Sequence, residues 1–408
     1  MKKLLLSILS IASLTAFSQW QSSSTILSSG EDCFYAFGKV IASDDASNTI
    51  NTSTNDGNTW TLSNSGVPTT TVGLKLGVLN GTTLYGYMKN TIYQTTNAST
   101  WSSMTTPIGG SETIKGMAVL NGTVFAATNS SAIKIYQLNG TSWSLKSTIP
   151  IATASLANCI ANVNGQLWVG TTHTLCIKST NAGSTWSAIT PTLNPVNWWD
   201  KDVFSIGATS STIFMGTYGS KIMKSLDGGA SWTTAYNTLG GISGVNDIYV
   251  MSNNNILVAS DSGFVYSTNG GSTFQKDNAG MNFSQYEFKL NRITVSTNSI
   301  IASTGNGTIM RRPLVEIFAG INEINPITIE SKVYPNPSND FTTIEASDLK
   351  FEKNCEVKVI DVLGRDVSVT EMKNGKVELN LSDFSKGLYT YSVYNNKTVV
   401  SKGKLVVN

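Results

Sequence analysis

Apolar and polar residues alternate along this chain in short runs, and no helical period is evident. The pattern is clearest in one stretch. Cys159-Ile-Ala-Asn-Val163 predicts a strand, Asn164-Gly165 a turn and Gln166-Leu-Trp-Val-Gly-Thr171 a second strand. Asn-Gly between alternating apolar residues is a strong hairpin signal, because both central residues of the tightest hairpin turns need positive φ. Leu175-Cys-Ile-Lys-Ser179 then predicts a third strand, and a polar outer strand follows Trp186. The same order returns at Val119 to Ala126, Phe204 to Lys224 and Ile248 to Ser267.

Between the third and fourth predicted strands lies a recurring turn. It reads Ser53-Thr-Asn55-Asp-Gly57-Asn-Thr-Trp60, Ser179-Thr-Asn181-Ala-Gly183-Ser-Thr-Trp186, Ser225-Leu-Asp227-Gly-Gly229-Ala-Ser-Trp232 and Ser267-Thr-Asn269-Gly-Gly271-Ser-Thr-Phe274. Worn copies end at Trp101 and Trp143, and successive closing aromatics lie 41, 42, 43, 46 and 42 residues apart. Asn or Asp in third place can close an Asx-turn, and Gly in fifth place supplies positive φ. The final aromatic can wedge between neighbouring sheets. Four strands in a period of this size predict propeller blades. Six units end at these aromatics. A seventh begins at Arg292 and reaches Met310 without a closing turn, while Trp20-Gln-Ser-Ser-Ser-Thr25 looks like the segment that follows each turn. The N-terminal segment is therefore expected to supply the outer strand of the last blade and remove an exposed sheet edge. The fold class predicted is all-β: a seven-bladed β-propeller over residues 19–313, followed by a small immunoglobulin-like β-sandwich.

The turn resembles the Asp-box, or bacterial neuraminidase repeat, Ser-x-Asp-x-Gly-x-Thr-Trp. That resemblance implies a turn between third and fourth strands, away from the working face, so the boxed residues are expected to hold blades and not to catalyse.

Residues 1–18 open with Met1-Lys-Lys and an apolar run to Phe17, which predicts a secretory signal peptide. Charged residues make up only 13% of the chain, Gly, Ser, Thr and Asn are abundant, and the net charge of +2 offers no basic field for nucleic acid. No later apolar run has membrane length. Cys159 and Cys176 fall on the first and third strands of one blade. Strands two apart are too distant to bridge, so free buried thiols are expected.

Residues 314–331 read as a linker, and residues 332–408 change composition toward Lys, Glu and Asp in short alternating runs that predict the sandwich. This last unit resembles the C-terminal sorting domain of the Bacteroidetes type IX secretion system. The matching residues are Val333-Tyr334-Pro335-Asn336-Pro337, Asp361-Val-Leu-Gly364-Arg365, Gly387-Leu-Tyr389 and Lys404-Leu-Val-Val407. The resemblance implies type IX machinery as partner, export beyond the outer membrane after signal-peptide cleavage, and an extracellular or cell-surface location.

Chemistry is sparse. Sialidases clamp a carboxylate with three arginines from different blades, whereas this propeller has Arg292, Arg311 and Arg312, two of them adjacent. A sialidase is therefore not expected. The single histidine, His173, sits in a polar loop. No Cys/His cluster has ligand spacing, so neither metal nor cofactor is expected. Strand order places the loops joining second to third strands, and the connections between blades, at the end opposite the boxes. The expected ligand site lies there, on Trp198, Trp199, Asp200, Asp202, Tyr218, Tyr286 and Glu287: aromatics to stack on a sugar or peptide surface, carboxylates to accept hydrogen bonds. The leading expectation is a secreted or surface propeller with a non-catalytic binding or adhesion role toward a glycan or surface protein. The alternative is a glycoside hydrolase or lyase using carboxylates on the propeller face.

Overall fold

The computed structural model describes residues 19–23, 30–44, 47–68, 73–150, 156–173, 175–189, 198–237, 243–281, 289–318, 331–346, 355–361, 365–395 and 398–408. Residues 1–18, expected to be a signal peptide, and Tyr286, Glu287 and Gly364 lie outside them, and Trp198 is described only as part of a 3-10 turn, Trp198–Lys201. The chain divides into two compact units, residues 1–321 and 322–408.

The first unit carries seven four-stranded antiparallel sheets. Their first strands are, from blade 1 to blade 7, Gly30–Ala36, Lys75–Asn80, Thr113–Leu120, Ala157–Val163, Val203–Ala208, Val245–Val250 and Leu290–Val295. Each first strand touches the next, and that of blade 7 touches that of blade 1, so the ring closes into a β-propeller. Second strands are buried along all their length, as in Ile213–Thr217 and Ile256–Ser260, or along all but the first residue, as in Gln166–Thr171. Each is sandwiched between neighbouring blades, so both faces need apolar or small residues.

Closure follows the sequence reading. Gln21–Ser22 pairs with Ile309–Pro313 as the fourth strand of blade 7, with Gln21 opposite Arg311. Trp20 is 2% exposed and takes the place of a closing aromatic. Its Nε1 donates to Asp277 O (3.1 Å), and its ring meets Phe264 of blade 6 edge-on at 4.9 Å.

The recurring turns share one hydrogen-bond set. In blade 4, Ser179 Oγ donates to Asn181 Oδ1 (2.9 Å) and accepts from Gly183 N (2.8 Å), while Asn181 Oδ1 also accepts from Thr185 N (2.9 Å). Blades 1, 5 and 6 repeat it with Ser53, Ser225 and Ser267. Glycine in fifth place answers two demands. Gly229 has φ +92°, and a Cβ there would stand 2.5 Å from the Trp168 ring of the preceding blade. The closing aromatics do wedge between blades: Trp232 meets Trp168 at 6.4 Å, and Trp186 Nε1 donates to Ser147 Oγ of blade 3.

None of the four cysteines forms a disulfide. Burial pushes the Cys33 and Cys159 thiols up to about 12. One element departs from expectation. The stretch read as a linker begins with a short helix, Leu314–Phe318, whose Leu314 and Phe318 are buried in the cluster around Trp20. Apolar side chains at both ends of one turn give it a buried face that the alternation pattern hides.

The second unit has a three-stranded sheet (Lys332–Tyr334, Phe341–Glu345, Lys376–Asn380) and a four-stranded one (Asp366–Glu371, Cys355–Ile360, Gly387–Asn395, Thr398–Val407). Ile344, Val377, Val357, Tyr391 and Leu405 from the two sheets share one core. The Asn336 side chain donates to Lys404 O (2.9 Å) and accepts from Val406 N (2.8 Å), fixing the Tyr-Pro-Asn-Pro segment to the last strand. Asp361 accepts from Arg365 N (2.9 Å) and Nε (2.7 Å), and Tyr389 OH donates to Ser385 O (2.7 Å).

Candidate functional site

Every first strand carries a register shift against its second strand near its start. In blades 3 to 7 the skipped residues are Lys115, Asn158, Phe204, Asn246 and Asn291. A bulge sets two residues against one and re-aims a side chain. Repeated around a ring, it turns a set of side chains toward the axis. There they line a cavity of about 200 Å³, with Tyr87, Asp247 and Arg292 also on its wall. First strands start at the end opposite the boxed turns, so the cavity lies toward the end that strand order marks as the working face.

One half of the wall is satisfied from within. Arg292 Nη1 lies 3.1 Å from Asp32 Oδ2 and 2.5 Å from Leu76 O, and its Nε lies 3.9 Å from Asp247 Oδ2. Asp32 also accepts from Leu76 N (2.8 Å) and Cys33 N (2.9 Å), and Asp247 from Ile293 N (3.0 Å). One guanidinium thus ties blades 1, 2, 6 and 7 together. Burial would lower the Arg292 pKa, but the two carboxylates outweigh it and raise the value. Burial also raises Asp247, with Arg292 opposing. Asn246 Nδ2 is taken by Asp261 Oδ1 (2.8 Å) and Leu290 O (2.8 Å).

The other half spans blades 3, 4 and 5 and is left more open. Lys115 reaches solvent, and Asn158 Nδ2 is buried with no hydrogen-bond partner among the described residues. Phe204 stands 5.6 Å from Tyr218, ring to ring, and Tyr218 is 36% exposed. Tyr218, predicted from its loop, packs against Phe204 but is not among the residues that line the cavity.

The carboxylates expected beside it do not offer themselves to a ligand. Asp200 is 3% exposed and bonded to Lys221 Nζ at 2.6 Å. Asp202 is buried and accepts from His173 N at 2.7 Å. Both are consumed in holding the loops between blades 4 and 5, because a buried carboxylate needs donors wherever it finds them. Trp199 is half-buried, with its Cδ1 2.9 Å from where a Gly219 Cβ would stand. The sequence reading missed Lys115, Asn158 and Phe204. Their signal was a break in alternation, two residues between apolar ones: Ala157-Asn-Cys-Ile160, Val203-Phe-Ser-Ile206, Val245-Asn-Asp-Ile248, Leu290-Asn-Arg-Ile293.

Comparison with known proteins adds two findings. Residues 332–408 match the secretion system C-terminal sorting domain. This sorting domain implies handling by the type IX machinery and export to the cell surface or extracellular space. No helix among the described residues is long and apolar enough to cross a membrane. No curated protein matches the sequence. Among solved structures, PorZ, a surface component of the type-IX secretion system of Porphyromonas gingivalis, is 15% identical over 92% of this chain and 59% of its own, with a TM-score of 0.49. The extracellular domain of BT4673 from B. thetaiotaomicron is 15% identical over 81% of this chain and 44% of its own, with a TM-score of 0.60. A catalytically inactive virginiamycin B lyase from Staphylococcus aureus, with quinupristin, is 14% identical over 72% of this chain and 99% of its own, with a TM-score of 0.58. This chain thus spans well under two thirds of the first two. At such identities the last two show a shared fold alone.

Proposed function

We propose that the protein is a non-catalytic binding module, displayed on or released from the cell surface, which takes its ligand at the axial mouth of the propeller. The signal peptide at residues 1–18 carries it across the inner membrane and residues 332–408 across the outer one. The seven blades, fastened by Asp-box-type turns, serve as a rigid mount. The observation that carries this reading is the axial cavity, where Phe204, backed by Tyr218, offers an aromatic ring beside hydrogen-bond donors. A glycoside hydrolase of the usual kind needs two carboxyls flanking the scissile bond. The two beside this cavity, Asp32 and Asp247, share one guanidinium instead. The test is a glycan-array and polysaccharide-degradation screen on the exported protein, with Phe204→Ala and Tyr218→Ala alongside. Binding without turnover, weakened about tenfold or more by either substitution, is expected. Polysaccharide breakdown abolished by Asp32→Asn or Asp247→Asn would favour the enzyme instead. Removing residues 332–408 should leave the propeller in the periplasm of a type IX-competent host, and normal appearance of that truncation in the medium would refute the export route.

A further inference from the structure

The two halves of the axial cavity differ in what they have left to offer. Around Arg292 and Asn246 the donors and acceptors meet one another. On the opposite side, three consecutive blades place an ammonium, an amide and an aromatic ring at the same bulge position, and their first strands are in contact. No carboxylate among the described residues pairs with Lys115, and the charge that acts on it is another cation, Lys75. Partial burial, then that like charge, hold the Lys115 ammonium below the usual lysine range even though its end reaches solvent. An arriving anion would relieve that repulsion. Asn158 Nδ2 is a buried donor with nothing to give to, the kind of group that a ligand acceptor completes. Phe204 adds an aromatic ring to the same wall, with Tyr218 tilted 57° against it from behind.

Deepening the binding reading above, on which it rests, we propose that this half of the cavity seats the end of an acidic glycan, with a uronate carboxylate on Lys115 and Asn158 and the apolar face of its ring on Phe204. At about 200 Å³ the cavity falls below the range of pockets that enclose drug-sized ligands and suits a single ring. Seven strands wall it, so a chain enters end-on through the axial opening, and a terminal sugar is read in preference to one inside a polymer.

Calorimetric titration of the exported protein tests this, with digalacturonate and a glucuronate-terminated disaccharide as probes. Their neutral parent disaccharides and a short peptide ending in a free carboxylate serve as comparisons. Saturable uronate binding is expected, weakened about tenfold or more by Lys115→Met, by Asn158→Leu and by Phe204→Ala. Lys115→Arg should retain most of it, and neutral sugars should bind at least about tenfold more weakly. Lys115 reaches solvent, so Lys115→Met should leave the thermal unfolding midpoint in place. Several results overturn the inference: no saturation by either uronate at millimolar concentration, neutral and acidic sugars binding alike, a silent Lys115→Met, or the peptide binding more tightly than the sugars. If neutral sugars bind and Phe204→Ala abolishes it, the acidic specificity fails while the binding role at the axial mouth stands.

Discussion

Glu112 shows how little a side chain's type reveals about its task. It precedes the first strand of blade 3, at the end where ligands are expected, yet it is 5% exposed. It accepts from Lys134 Nζ (2.7 Å), Thr128 Oγ1 (2.8 Å) and Tyr136 OH (2.9 Å). Burial alone would raise its carboxyl, but those donors together hold it below the ordinary range. A lowered folded-state pKa means stability that is fully present above the unfolded value of about 4.3 and lost as pH falls through the lower folded one. Glu112→Gln should therefore cost about 2 kcal/mol at pH 7 and much less at pH 3, as read by urea unfolding. Equal stability of wild type and variant at pH 7 would show that the network is idle. The boxed glycines separate two effects that sequence alone merges. Gly228 has φ +70° with no atom within 4 Å of its missing Cβ, while Gly229 combines φ +92° with the Trp168 ring. Gly228→Ala should cost about 1 kcal/mol and Gly229→Ala roughly 3. Ala182, at φ +52°, already occupies the position equivalent to Gly228. Similar costs for the two substitutions would contradict the close-approach argument.

Elements were legible where their cause is local. Asx chemistry, positive-φ glycine and a closing aromatic act within eight residues, so the turns, their period and the strands between them could be read directly. The N-terminal closure was legible too, because Trp20 and its neighbours imitate the segment after a box. Register was not. A bulge is a property of two paired strands, and the residues it turns toward the axis look like any polar pair between apolar ones. Nor could the sequence show that Asp200 and Asp202 are buried, because two acids beside two tryptophans look alike whether they meet a ligand or a lysine. The short helix at Leu314–Phe318 hid for a related reason, since a single turn has no period to detect. Closure itself makes a testable claim about an element. The strand Gln21–Ser22 is only two residues long, so its hold on blade 7 rests mainly on Trp20. Trp20→Ala should lower stability by about 3–5 kcal/mol, measured by denaturant unfolding. A loss under about 1 kcal/mol would mean that blade 7 stands without its N-terminal strand.

At the scale of the whole molecule, the propeller's two ends carry different tasks. Boxed turns at one end close on themselves through Ser, Asn and Gly hydrogen bonds, and their closing aromatics reach the neighbouring blade. At the other end the bulged starts of the first strands gather donors and aromatics around an axial cavity. The sorting domain adds delivery to the cell surface or extracellular space. What the account asserts above all is that the ligand occupies the axial mouth. Hydrogen–deuterium exchange of the exported protein, with and without a glycan identified by the array, reads this directly. Slower exchange is predicted at residues 114–117, 157–160 and 203–206, with the boxed turns at 53–60, 179–186, 225–232 and 267–274 unchanged. Protection confined to those turns, with the first strands unaffected, would contradict it.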